Sequence, residues 1–463
     1  MRMKCSSLFL SLFLLSVAAF SQVRLPNVLS SNMVLQRNAE ISLWGWSSPG
    51  EKIRITYSWN GKTDSAIADG NAQWSLTTRT PDAGGPYSIT FQASNTIKLE
   101  NVMIGEVWLL SGQSNMEWAA VNNNKQANDE APNANNPNIR LFHIPKTTAN
   151  SPQEDCAATW KVCNPEDMKR FSTIGYFFGK QLQQELNIPI GLINASWGGT
   201  PAEAWTPEVV INNDLQLQQA AKTINPTPWW PVEPAKAYNG MIAPLTPYRI
   251  AGALWYQGES NTGQPFTYTK LFTSMIHSWR EARGYDFPFY YVQIAPFAYG
   301  SPLQGAYLRE AQTNSQFLPG TGMVVVSDLV DNVKDIHPQL KKEVADRLAK
   351  LALADTYKKV TGPYLYPHYE SMSVEGMKAR IRFTNVPNGL ISKNGAPSEF
   401  EIAGEDRKFY KATAVIEGNT VVVSAPEVKI PAAVRFGFGN ESMPNLFSKE
   451  GLPVNLFRTD NWQ

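Results

Sequence analysis

The chain has 463 residues, 43% hydrophobic and 17% charged, with Lys+Arg 41 against Asp+Glu 40. That length exceeds what one hydrophobic core usually supports, so two or three domains are expected. A net charge of +1 excludes the strong field with which proteins hold nucleic acid or an anionic membrane, and a neutral ligand fits better.

Residues 1–21 open with Arg2 and Lys4, continue through an apolar run at 8–20 and end on Ala19-Phe20-Ser21. This is the pattern of a signal peptide cleaved after Ser21, too short for a membrane span, and it predicts a secreted or periplasmic protein. Cys5 leaves with it. Cys156 and Cys163 then either close a small disulfide in an oxidising compartment or stay as two thiols. No later stretch is long and apolar enough to span a bilayer.

Residues 22–101 show short alternating runs, such as Ile41-Ser42-Leu43-Trp44 and Gln73-Trp74-Ser75-Leu76. Asn60-Gly61 signals a hairpin turn with positive φ at both positions, and 83–86 reads as a loop. A small β-sandwich is predicted. Residues 102–358 change character, because Val107-Trp108-Leu109-Leu110 is apolar without alternation and runs into Ser111-Gly112-Gln113-Ser114. That predicts a strand buried on both faces and feeding a tight turn. Helices at 171–186, 268–279 and 338–354 then alternate with strands at 188–195, 250–256, 289–295 and 323–327, which predicts an α/β domain with a parallel sheet flanked by helices. The Asn-rich stretch 122–138 has no periodicity and reads as a surface loop near the site. Residues 359–463 return to β pattern at 378–383, 400–403 and 411–424, giving a C-terminal β domain.

Active sites in open parallel sheets lie beyond the carboxyl ends of the strands. Three strand ends carry candidate chemistry. Ser114 sits on a strand-to-helix turn, where backbone amides can face an oxyanion and Gly112 permits the bend, with Gln113 between them. A serine nucleophile needs a base. Of the four histidines, His143 lies in an apolar run, His277 in a patterned helix and His368 in a Pro-rich segment, which leaves His337 in Asp335-Ile336-His337-Pro338. The third place is Trp255-Tyr256-Gln257-Gly258-Glu259-Ser260-Asn261. There Gln257 or Asn261 can donate to an oxyanion and Glu259 can act as a proton donor. Ser196-Trp197-Gly198-Gly199-Thr200 ends a further strand and offers the Gly198 or Gly199 amide. No metal-ligand spacing, phosphate loop or dinucleotide fingerprint occurs, so chemistry without a cofactor is expected.

With Asn32-Met33-Val34-Leu35-Gln36-Arg37, Gly105-Glu106-Val107-Trp108 and Gly451-Leu452-Pro453 added to these motifs, the chain resembles the sialate O-acetylesterase family of the SGNH-type hydrolase superfamily over most of its length. The resemblance implies an SGNH-hydrolase-like sheet and hydrolysis of O-acetyl esters on sugars, especially sialic acids. Ser114 would be the nucleophile and His337 the base. The Ser114 amide, Gly198 or Gly199, and Gln257 would bind the oxyanion. The superfamily's acidic partner stands three residues before the histidine, a position Lys334 holds here. Asp335 is therefore the expected orienting acid, with Asp328, Asp331 or a backbone carbonyl as alternatives. Arg140, Lys146, Arg170 and Arg249 are candidates to meet a sialic acid carboxylate, and acetylated xylan or another glycan is an alternative substrate. The rival mechanism is a glycoside hydrolase pairing Glu106 or Glu117 with Glu259 beside Trp108, Trp118 and Trp255. A sugar-binding protein without catalysis is the third reading.

Overall fold

The computed structural model describes residues 22–462; the predicted signal segment 1–21, with Cys5, lies outside the described residues. The central sheet is built on β1 (Thr96–Gly112), β2 (Asn136–His143), β3 (Trp160–Cys163), β4 (Ile190–Ser196), β5 (Gly252–Tyr256), β6 (Phe289–Val292) and β7 (Thr321–Val324), in the order β7-β6-β5-β1-β4-β2-β3. All neighbours are parallel except β2 and β3. Four main helices accompany it: α1 (Thr173–Leu186), α2 (Pro265–Arg283), α3 (Gln304–Asn314) and α4 (Lys341–Asp355).

The continuous apolar run in β1 follows from helices on both faces. Trp108 packs on Phe178 of α1. Trp255 of β5 stands opposite Ser111 in register, so it points to the other face and packs on Phe272 and Trp279 of α2. Ser114 and the 257–261 segment follow the carboxyl ends of adjacent strands, as the α/β reading expects.

The first half of β1 belongs to the N-terminal β region. Gly84–Gln92 pairs with it antiparallel and with Lys52–Tyr57, while Glu40–Trp46 and Gln73–Arg79 form a second, two-stranded sheet. The predicted boundary at 101/102 therefore falls inside one strand. A single apolar core runs from Leu43 and Phe91 to Val107 and Leu348. The C-terminal region has two four-stranded antiparallel sheets around its own core of Phe400, Phe436, Val421 and Val423. It meets α3 through Arg458, whose guanidinium holds Glu310 at 2.8 and 3.0 Å.

Three local expectations change, and the open alternative for the two cysteines is decided. Of Asn60 and Gly61 only Gly61 has positive φ, at 69°, because the connection is longer than two residues. The stretch 83–86 is largely strand, since Gly84–Gln92 starts there. The Asn-rich segment contains the helix Lys125–Glu130, capped by Asn124, whose side-chain oxygen accepts from the Ala127 amide at 2.9 Å. Cys156 and Cys163 are free and buried, and burial pushes each thiol up to about 12. Among the described residues no helix is long and apolar enough to cross a membrane.

Candidate active site

Strand β1 ends where the chain must turn hard against β5. At Gly112 φ is 127° and a Cβ would stand 2.2 Å from the Tyr256 carbonyl oxygen, so only glycine allows the two strand ends to close up. Gln113 then opens a one-turn helix, Ser114–Glu117. Its amide donates to the Tyr256 carbonyl at 2.9 Å, and its own carbonyl accepts from Met116 and Glu117 at 3.0 Å. Its side-chain oxygen accepts from the Gly258 and Ser260 amides at 3.3 Å. The first amides of the turn, Ser114 and Asn115, have no acceptor among the described residues. Such open donors at a helix start suit developing negative charge.

The segment between β7 and α4 brings His337 to this turn, with Nε2 2.8 Å from Ser114 Oγ. The imidazole stacks on Trp118, ring centres 4.0 Å apart and planes 18° from parallel. Burial and then the Lys341 cation hold His337 below the usual histidine range, against an opposing pull from Asp335. A neutral ring with Nε2 as acceptor is the form a general base requires. Asp335 does not hydrogen-bond that ring. Its Oδ1 accepts from the His337 backbone amide at 2.9 Å and stays 3.9 Å from Nδ1, with the side chain 47% exposed. Asp328 is bound bidentately by Arg347 at 2.7 Å, and Asp331 is exposed. Among the described residues neither a carboxylate nor a carbonyl accepts from Nδ1.

Alignment comes instead from Asn115. Its Nδ2 donates to Glu259 Oε1 at 2.6 Å and to the Ile336 carbonyl at 3.0 Å, and its Oδ1 accepts from Lys341 Nζ. One amide thus ties the residue after Ser114 to the residue before His337. Lys341 is 1% exposed, and burial lowers it to about 7. Burial raises Glu259, which is engaged with Asn115 and sits in the buried layer.

Three of the expected oxyanion donors have other partners. Gln257 Nε2 donates to Asn261 Oδ1 at 2.7 Å and to the Thr200 carbonyl at 3.3 Å, while its Oε1 accepts from Tyr268 at 2.9 Å. Asn261 donates to Glu203 at 2.8 Å and accepts from the Ala202 amide at 2.9 Å. Both side chains are buried amides that need these partners, so they brace the loop after β4. The Gly198 amide donates to Glu117 Oε2 at 2.5 Å, and Lys146 holds the other carboxylate oxygen at 2.6 Å. The Gly199 amide has no acceptor among the described residues.

Glu106 lies six residues before Gly112, about 20 Å away along an extended strand. It is bound by Arg37 at 2.6 Å, Gln36 at 2.8 Å and Tyr357 at 3.1 Å. It is a structural carboxylate and does not pair with Glu259. Trp108 and Trp255 are fully buried. Of the basic candidates, Lys146 reaches the site through Glu117, whereas Arg140 is buried against the Pro137 carbonyl and Asn101, and Arg249 lies over Tyr285.

The model of one family, carbohydrate esterases described as sialic acid-specific acetylesterases, matches residues 104–354, more than half of the chain. The chain belongs to this family. The esterase is similar to a carbohydrate acetylesterase of known structure from Xanthomonas citri, with 35% identity, a TM-score of 0.87, and coverage of 95% of this chain and 100% of that one. It is 28% identical over 399 residues to the Homo sapiens sialate O-acetylesterase, covering 78% of this chain and 76% of the human one. Against the Mus musculus sialate O-acetylesterase it is 26% identical over 404 residues, covering 72% and 73%. It is a carboxylic ester hydrolase acting on carbohydrate esters, and the glycosidase and non-catalytic readings give way.

The sequence placed Trp118 only beside the rival carboxylate pair and gave no role to Asn115 or Lys341. Asn115 and Lys341 are 226 residues apart, and Lys341 looks like an ordinary first-turn helix lysine. A signal was available for Trp118 alone, an indole one turn after the serine.

Proposed function

We propose that this esterase is a secreted sialate O-acetylesterase that works through an acetyl group carried on Ser114. His337 Nε2 takes the Ser114 hydroxyl proton as Oγ attacks the acetyl carbonyl carbon. The oxyanion of the tetrahedral species is held by the open amides of Ser114, Asn115 and Gly199. Collapse breaks the bond to the sugar oxygen, which takes the proton from His337. A water then gives its proton to His337 and attacks the acetyl group, and the proton returns to Oγ as acetate leaves. Asp335 stabilises the transient imidazolium charge from 3.9 Å, and Trp118 fixes the ring plane.

The reading rests on one observation above the rest, the 2.8 Å approach of His337 Nε2 to Ser114 Oγ at a strand end with open amides. The sialic acid part rests on family membership and on the relatives named sialate O-acetylesterase. Acetate release from a panel of O-acetylated sialic acids and acetylated xylan tests it. The highest kcat/KM is expected on a sialic acid, and a tenfold preference for xylan would replace that substrate. Export is tested by the amino-terminal sequence of the exported protein, expected to start at Gln22.

A further inference from the structure

Next to Ser114 stands a group of tryptophans that the acyl-transfer steps do not use. Trp197, Trp229 and Trp230, with Asn150, Glu233 and Lys236, line a cleft of about 500 Å3, within the roughly 300–1,000 Å3 of small-molecule sites. Trp229 is 75% exposed, an unusual place for a side chain that normally supplies a large share of a core. The segment carrying it includes Pro226, Pro228, Pro231 and Pro234, which restrict the chain before any ligand arrives. It is also tied down at its end. The Ala235 amide donates to the Glu203 carbonyl at 3.1 Å, and Lys236 Nζ bonds Asn150 Oδ1.

Gly198 and Gly199 stand between the cleft wall and Ser114. A Cβ at Gly199, where φ is 82°, would strike the Trp230 ring at 2.3 Å, and a Cβ at Gly198 would lie 3.2 Å from Ser114 Cβ. The two-glycine turn therefore has the nucleophile on one side and an indole on the other. An ester whose acetyl group is seated at Ser114 must leave its sugar outside the oxyanion turn, and the tryptophan wall is the adjoining surface.

We infer that Trp197, Trp229 and Trp230 form the subsite for the pyranose ring of the O-acetylated glycan. This rests on the Ser114 reading above. A pyranose has an apolar face of C–H groups that stacks on an indole, while its hydroxyls and any ring substituent meet Asn150, Glu233 and Lys236 at the cleft edge. A rigid, exposed, aromatic surface loses little conformational entropy on binding.

The test compares Trp229→Ala, Trp229→Phe and the parent enzyme on an O-acetylated sialic acid and on ethyl acetate, which carries the acetyl group without a pyranose. Trp229 is exposed, so its replacement leaves the core intact. The ratio of kcat/KM on the sugar ester to that on ethyl acetate is expected to fall about tenfold in Trp229→Ala, chiefly through KM, with Trp229→Phe recovering part of it. An unchanged ratio, whether both rates fall together or neither moves, would overturn the subsite. Ser114→Ala is run alongside. Undiminished turnover of both esters in that variant would instead remove the Ser114 reading and leave the ratio test to be read on its own.

Discussion

His337 has Ser114 Oγ at Nε2, an indole against its face and, among the described residues, no acceptor at Nδ1, so burial first and then nearby charge set its proton affinity. Burial and Lys341 lower that affinity and Asp335 raises it. In the proposed mechanism the neutral ring is the base, so activity is expected to fall as pH drops through the His337 pKa. Lys341→Met removes a cation, so the acid limb of kcat/KM is expected to move to higher pH. Asp335→Asn removes an anion and should move it to lower pH, with less than about tenfold loss at the plateau, against ~10⁴ where an acid hydrogen-bonds the ring. Shifts of the opposite sign would refute this electrostatic account. The pairing of Ser114 with His337 was legible because a strand-end serine proposed as nucleophile needs a base and only four histidines offered one. Gln257 and Gly198 were misread for the opposite reason: an amide looks like a free donor in sequence whatever it bonds. Their partners, Asn261 and Glu117, appear only when the strand ends are assembled.

The turn after β1 is the element that turns these residues into a site. Gly112→Ala would put a methyl group 2.2 Å from the Tyr256 carbonyl in a left-handed backbone region. Overpacking and φ strain together should lower stability by about 2–4 kcal/mol, read as a reduced denaturation midpoint with loss of acetate release. Unchanged stability would mean that β1 and β5 do not meet at Gly112. Most elements were legible from period: β4 and β5 from short apolar runs, α2 from its 3.6-residue stripe. Lys125–Glu130 was not, because its Asn-rich sequence has no apolar stripe. Its support is tertiary, with Asn124 donating to the Gln339 carbonyl at 2.9 Å and Gln126 to Glu343 at 2.7 Å. These bonds also brace the segment carrying His337.

At the scale of the molecule, the N-terminal β region and the catalytic sheet share β1 and one core. The change of pattern near residue 102 is real but has a different cause from a domain boundary: the same strand passes from one covered face to two. Removing residues 22–101 would cut β1, expose Ile104 and Val107, and take Gln36 and Arg37 from buried Glu106. Such a chain is expected to lose its near-ultraviolet circular dichroism and all activity, and a well-folded, active fragment would contradict the shared core. The C-terminal region, with its own core, matched its predicted β character because it does not share strands with the central sheet. What the whole assembly holds in place is Ser114 Oγ beside His337, and the most direct measurement is acetate release by Ser114→Ala, with circular dichroism verifying the fold. A loss of at least about a thousandfold is expected; a folded variant within tenfold of the parent rate would contradict the account.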